Sequence, residues 1–140
     1  MSASRAAAIA AAPSLFLAFD FGSKRVGVAS GNTVTRSATA LTTLAQPNDD
    51  ARFKAIGQLI TEWQPAALVV GVPRHPDGAP HDNTRRAERF ARQLRGRFSL
   101  TVHEVDERYT TTEALAAGAT DVDAASAALI LEQFFNEHPT

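Results

Sequence analysis

Apolar runs separated by short polar breaks predict the strands of this protein from residue 15 onward. In residues 15–30, one apolar run leads to Asp20, a turn containing Gly22 follows, and a second apolar run predicts an antiparallel return strand. Residues 33–44 are rich in Thr, Val and Ala and predict a third strand at an edge of the sheet. Residues 66–73 form a continuous apolar run, which is typical of a strand covered on both faces. Residues 99–105 predict a further strand that runs into Asp106.

Apolar residues at helical spacing predict the helices between and after these strands. Residues 51–63 predict an amphipathic helix that packs one face on the sheet. Residues 84–97 predict a second helix, for which Asn83 or Thr84 is the expected cap. Residues 110–118 predict a short helix, and residues 124–136 predict the last one, which starts from the polar residues 121–123. Three strands followed by alternating helices and strands predict an α/β fold with a mixed sheet.

The length and composition of the chain fit one globular domain. Its 140 residues are 44% hydrophobic and 21% charged, with a formal net charge of −1, so the chain as a whole is not a general polyanion binder. We expect residues 14–138 to form the domain and residues 1–13 to be a flexible, Ala-rich leader. The absence of cysteine excludes disulfides, thiolate metal sites and cysteine nucleophiles. No run is long enough to span a membrane, and the expected location is the cytoplasm.

Acidic residues at the ends of predicted elements are the candidate catalytic groups. Asp20 ends the first strand, Asp106 and Glu107 end the last strand, and Asp121 and Asp123 begin the final helix. Because parallel strands end at one edge of a sheet, Asp20 and the Asp106–Glu107 pair are expected to meet there, and the final helix is expected to bring in Asp123. Three carboxylates in one cleft repel, and divalent metal removes that cost. Oxygen ligands suit Mg²⁺ or Mn²⁺, and two such ions can cleave a phosphodiester.

Each of these acids also has a structural interpretation that the sequence leaves open. Asp121 and Asp123 are good residues for the cap and first turn of a helix. Asp20 and Asp106 can serve as turn residues, and Glu107 can pair with Arg108. Strand alternation places Asp106 and Glu107 on opposite faces, so only one of the two is expected to face the metals. The predicted metal ligands are Asp20, Asp106 and Asp123, with Glu107 kept as a catalytic candidate.

Basic residues supply a candidate surface for nucleic acid. Six arginines and one Glu occupy residues 85–97, a pattern that fits phosphate contacts but also fits a solvated helix face. Lys24 and Arg25 follow Asp20 closely in the sequence and are better placed than the arginines of this helix to hold a phosphate near the metals. The predicted nucleic-acid contacts are Lys24, Arg25, Arg74, Arg85, Arg89, Arg92 and Arg108.

Four blocks of sequence, in order, resemble the YqgF/RuvX family. They are residues 20–29 (DFGSKRVGVA), residues 70–73 (VGVP) followed by Asp77-Gly78, residues 105–111 (VDERYTT) and residues 123–131 (DAASAALIL). The resemblance implies an RNase H-like fold and metal-binding acids at Asp20, at Asp106 or Glu107, and at Asp123. Members of the family are described as nucleases that mature the 5′ end of pre-16S rRNA during ribosome assembly and, earlier, as Holliday junction resolvases. Many members carry a basic stretch before the final Asp, whereas residues 114–123 here contain no Lys or Arg.

The leading hypothesis is therefore a metal-dependent endonuclease that acts on structured RNA, with the assembling small ribosomal subunit as a partner. Branched, four-way DNA is the alternative substrate. A non-catalytic nucleic-acid-binding module in ribosome assembly or transcription would keep the arginine surface without needing the acids. Actin-like and sugar-kinase phosphotransferases share the opening hairpin but place a nucleotide between two such domains, and 140 residues provide one.

Overall fold

The architecture is a five-stranded sheet with helices on both faces. The computed structural model describes residues 14–22, 24–74, 77, 79, 82–106 and 121–138. The predicted leader and the predicted short helix at 110–118 lie outside the described residues. The elements are β1 (Leu15–Phe21), β2 (Val26–Asn32), β3 (Ala38–Leu44), α1 (Asp49–Trp63), β4 (Ala67–Val72), α2 (Asp82–Phe98), β5 (Thr101–Asp106) and α3 (Val122–Glu137).

The strand order is β3-β2-β1-β4-β5. β1 pairs antiparallel with β2, and β2 pairs antiparallel with β3 at the edge of the sheet. β1 also pairs parallel with β4, and β4 pairs parallel with β5. The mixed sheet with an antiparallel three-stranded front is therefore confirmed. The C-terminal ends of β1, β4 and β5 lie at the same edge, which is where ligands bind in open α/β sheets.

Side chains of β1 alternate between two hydrophobic cores, one on each face of the sheet. Leu17 and Phe19 belong to the core formed with α1 and α2, which also contains Phe53 and Phe90. Ala18 belongs to the core on the other face, which is formed with α3. The even positions of β1 therefore face α3, and the odd positions face α1 and α2.

Two element boundaries differ from their predicted positions. β3 begins at Ala38 and not at residue 33, because the Asn32 side chain accepts hydrogen bonds from the backbone N–H groups of Val34 and Thr35 and forms a turn there. The predicted caps of α2 were wrong, because the helix already begins at Asp82. Thr84 lies in its first turn and donates its hydroxyl to the carbonyl oxygen of Pro73. Within the described ranges, no helix combines the length and apolar character needed to cross a bilayer.

Candidate active site

Asp20 and Asp123 form a pair of interacting carboxylates at the C-terminal end of β1. Asp20 has the same strand parity as Ala18 and therefore lies on the α3 face. Burial and, to a smaller extent, the negative charge of Asp123 together raise the pKa of the Asp20 carboxyl to about 6. The structure thus brings together two of the acids predicted from the sequence, although they are separated by more than 100 residues of chain.

Gly27 explains how the first turn of α3 reaches Asp20. It lies opposite Asp20 in the β1–β2 register. A Cβ atom at this position would lie 1.8 Å from the carbonyl oxygen of Asp123 and 2.9 Å from the backbone nitrogen of Ala124. Only a residue without a side chain allows this approach, so the glycine of the hairpin motif positions the acid of the final helix.

Asp121 caps α3, as one of its sequence interpretations predicted. Its carboxylate accepts a hydrogen bond from the backbone N–H of Ala124 at 3.1 Å and another from the hydroxyl of Thr43 on β3. Sequence reasoning missed Thr43, since nothing local to an edge strand indicates a partner 78 positions away. These contacts assign Asp121 to the anchoring of the helix and leave Asp123 as the acid of α3 that faces Asp20.

Arg25 lies beside this pair of acids. Its Nε atom is 3.1 Å from Oδ2 of Asp123, and its side chain is 66% exposed. An ion pair this exposed contributes at most about 1 kcal/mol to stability. Arg25, Thr43, Asp121 and Asp123 line an open cleft. The cleft therefore carries both a cation and carboxylates, the combination needed to hold a phosphate next to a metal ion.

The register of the sheet indicates the face toward which Asp106, the third predicted metal ligand, points. Val105 pairs with Gly71, which in turn pairs with Asp20, and Val105 belongs to the core on the α3 face. Asp106 follows Val105, so regular alternation directs its side chain toward the α2 face, away from Asp20. The preceding Glu104 obeys the same alternation, because it forms an ion pair with Arg95 of α2 at 3.0 Å.

In the part of the chain that the structure describes, no three acidic or histidine side chains come together as a metal site. Of the predicted set Asp20, Asp106 and Asp123, the structure brings together Asp20 and Asp123. Glu107 lies outside the described residues. The oxygen donors of the pair still match the ligands that Mg²⁺ and Mn²⁺ prefer.

Five of the seven predicted basic residues fall into two groups. Lys24 and Arg25 are exposed at the turn after β1, and Arg25 contacts Asp123. Arg85, Arg89 and Arg92 are exposed on α2. At the C-terminal end of that helix, Arg95 donates to the carbonyl of Val102 and pairs with Glu104, and Arg97 packs over the ring of Phe53. The exposed cationic surface of α2 therefore does not include its last turn. Of the other predicted contacts, Arg74 forms an ion pair with Glu88 at 3.4 Å. Arg108 lies outside the described residues.

Residues 14–137 match the family model described as RuvX, Holliday junction resolvase. The chain belongs to the RuvX family. A relative from Polaromonas sp. (strain JS666), named "Putative pre-16S rRNA nuclease", is 66% identical over 124 residues, which cover 89% of each chain. A relative of the same name from Albidiferax ferrireducens is 62% identical over 126 residues, covering 90% of this chain and 80% of its own.

Solved structures of RuvC share the fold of this RuvX family member. The structure of Thermus thermophilus RuvC in complex with a Holliday junction substrate superposes with a TM-score of 0.56 at 13% identity, covering 89% of this chain and 94% of that chain. A second structure of RuvC from the same organism gives a TM-score of 0.55 at 11% identity, with coverage of 88% and 95%. At this identity the likeness establishes the RNase H-like fold, in agreement with the sequence prediction.

Proposed function

We propose that this protein is a metal-dependent endonuclease that processes the 5′ end of pre-16S rRNA. The observation that carries the proposal is the Asp20–Asp123 pair, held at the C-terminal edge of the sheet in a chain whose family and curated relatives carry nuclease names. The reaction is hydrolysis of a phosphodiester, in which water attacks phosphorus and the bond to one ester oxygen breaks. The proposed setting is the cytoplasm, with the assembling small ribosomal subunit as the partner.

In this proposal, carboxylate oxygens of Asp20 and Asp123 hold Mg²⁺ or Mn²⁺, and the complete site holds two ions. The chemistry that such ions supply when bound is activation of water and stabilisation of the leaving oxygen. The high pKa of Asp20 supports this role, because a charged carboxylate that is costly to bury next to Asp123 is compensated by a cation. Arg25, which contacts Asp123, and its exposed neighbour in sequence Lys24 bind the phosphate that is cut.

We propose Glu107 as the third acid of the site. The sequence predicts that Asp106 and Glu107 point to opposite faces, and the register directs Asp106 toward α2. Glu107 is then the member of this pair expected on the side of Asp20. A direct comparison tests this assignment: Glu107→Gln is expected to abolish cutting as Asp20→Asn does, and Asp106→Asn is expected to retain it. The opposite result would return Asp106 to the metal site.

The function is tested with purified protein and a 5′-extended fragment of 16S rRNA, in Mg²⁺, Mn²⁺ or EDTA. Cutting that requires metal and disappears in Asp20→Asn is the expected result. Asp50→Asn is the matched control, because it makes the same chemical change at an exposed residue of α1. RNA binding without cutting under every metal condition, and equal in both variants, would contradict the nuclease proposal and favour a binding module.

Four-way DNA is the second candidate substrate, and the description of the matching family model supports testing it. The same assay with a four-way DNA junction in place of the RNA separates the two. Faster metal-dependent cutting of the junction than of the rRNA fragment would assign the activity to branched DNA.

A further inference from the structure

A second cavity opens on the other face of the sheet from the acids, between the start of α1 and the middle of α2. Arg52 of α1 and Arg86 and Arg89 of α2 supply its positive charge, and Asp49 is the acid in its lining. These groups leave the lining with a formal charge of +2. The nucleic-acid contacts predicted from the sequence include Arg89 but neither Arg52 nor Arg86.

Arg52 is the unusual member of this lining. Its side chain is only 6% exposed, although arginine is almost never buried without compensating contacts. Its guanidinium lies 5.6 Å from the centre of the Phe21 ring, and Nη1 is 4.0 Å from a carboxylate oxygen of Asp49, which is 73% exposed. A positive charge held this far from bulk water acts on a bound anion more strongly than a charge on the surface.

Aromatic rings form the floor of the cavity and hold it rigid. The ring of Phe90 lies 4.9 Å from that of Phe21 and 5.8 Å from that of Phe53, measured between centroids. Phe53 and Phe90 are almost fully buried. Because these rings are fixed by packing, the arginine above them is positioned before any ligand arrives, which lowers the entropy cost of binding.

Phe21 connects this cavity to the candidate active site. It is the last residue of β1 and directly follows Asp20, so alternation places the two side chains on opposite faces of the same strand end. A nucleic-acid strand whose scissile phosphate lies at Asp20 can therefore pass around the end of β1 and present another phosphate to the cavity.

We propose that this cavity, lined by Arg52, Arg86 and Arg89 above aromatic rings, binds the phosphate group of a nucleotide. Its volume is about 200 Å³, smaller than the roughly 300–1,000 Å³ of typical small-molecule sites. It therefore suits one phosphate with part of its sugar and not a whole cofactor. The phosphate can come from a nucleic-acid strand, in which case the inference rests on the proposed function, or from a free nucleotide, in which case it does not.

The spacing of arginines on α2 provides a matched test. Arg86 and Arg89 line the cavity, whereas Arg85 and Arg92, which are also exposed on the same helix, do not. Both double alanine variants lose two positive charges from one helix, so a general electrostatic effect would weaken binding equally. Binding of a labelled single-stranded RNA oligonucleotide is measured by fluorescence anisotropy in EDTA, which prevents cutting, at low and at high salt.

The Arg86→Ala/Arg89→Ala variant is expected to bind RNA about tenfold more weakly than the Arg85→Ala/Arg92→Ala variant. The difference should persist at high salt, because a partly enclosed site is screened less than a surface. Arg52→Lys keeps the charge but loses the planar fork, and is expected to weaken binding as well. Because Arg52 is buried, thermal denaturation checks its folding, and the exposed double variants decide the question if it unfolds.

Adenosine monophosphate and inorganic phosphate are the competing probes. If either probe competes with RNA for the wild-type protein but not for Arg86→Ala/Arg89→Ala, the cavity is assigned to a free phosphate compound. Failure of both to compete, together with the selective loss of RNA binding, would assign it to the strand. Equal RNA binding by the two double variants, with no competition by either probe, would overturn the inference. Metal-dependent cutting by the wild-type protein is scored separately, so the nuclease proposal stands or fails independently.

Discussion

Replacing Asp20 by Asn is expected to stabilise the metal-free protein while abolishing its activity. The Asp20 pKa of about 6 in the folded protein, compared with 3.8 for an ordinary Asp, means that its charged form is disfavoured by folding. This difference corresponds to about 3 kcal/mol of unfolding free energy once the carboxyl is ionised. Asn is nearly the same size and carries no charge, so the variant avoids this cost.

The pH dependence follows from which state binds the proton. Between pH values of 3.8 and about 6, the folded protein holds a proton on Asp20 that the unfolded chain has released. The contribution of this group to the free energy of unfolding therefore falls as pH rises through that interval and is constant above it. Asp20→Asn lacks the titration, so the two proteins should differ little at about pH 4 and by about 3 kcal/mol at about pH 8.

Urea denaturation followed by circular dichroism, in EDTA across this pH range, measures the effect. Asp50→Asn serves as the control, since it removes an exposed carboxylate of α1 and should not reproduce the pH-dependent gain. Adding Mg²⁺ at about 100 times its dissociation constant should stabilise the wild type by about 2.7 kcal/mol and leave Asp20→Asn unchanged. A variant that is less stable than wild type at high pH, or a difference that does not vary with pH, would refute the reasoning.

Three further predictions concern the surroundings of the acid pair. Gly27→Ala should destabilise the fold by about 3 kcal/mol or more, since the new Cβ meets the backbone of Asp123 at 1.8 Å; an unchanged melting temperature would contradict this. Asp121→Ala should lower the free energy of unfolding by about 1 kcal/mol, because it removes the cap and the bond to Thr43. Asp121→Asn should retain most of this stability, and equal melting temperatures of the two variants would show that the cap is unimportant. Arg25→Ala should change stability by less than about 1 kcal/mol but weaken RNA binding in EDTA; unaltered binding would remove Arg25 from the phosphate site.

Several features of this protein were determined by the sequence itself. Apolar residues at helical spacing indicated the three described helices, apolar runs indicated four of the strands, and the Thr, Val and Ala content of residues 33–44 indicated β3. The core side of α2 follows from apolar residues at helical spacing, because Ala87, Phe90, Ala91 and Leu94 are all buried. Asp121 was a credible cap because capping depends on neighbours within one turn of helix.

Other features required the tertiary structure, because they depend on which strands are neighbours and in which register. The sequence placed Asp106 and Glu107 on opposite faces but could not say which face belongs to Asp20; the alignment of β5 with β4 and β1 directs Asp106 toward α2. The bond between Thr43 and Asp121 joins an edge strand to a distant helix.

The position of the arginines in space was also a tertiary property. Packing sets α1 beside α2 and brings Arg52 to the same cavity as Arg86 and Arg89. Local patterns specify the period and direction of an element, since those depend on its own backbone geometry. Lateral contacts between distant segments arise only when the sheet pairs and the helices pack on it, and these contacts decide which charges share a site.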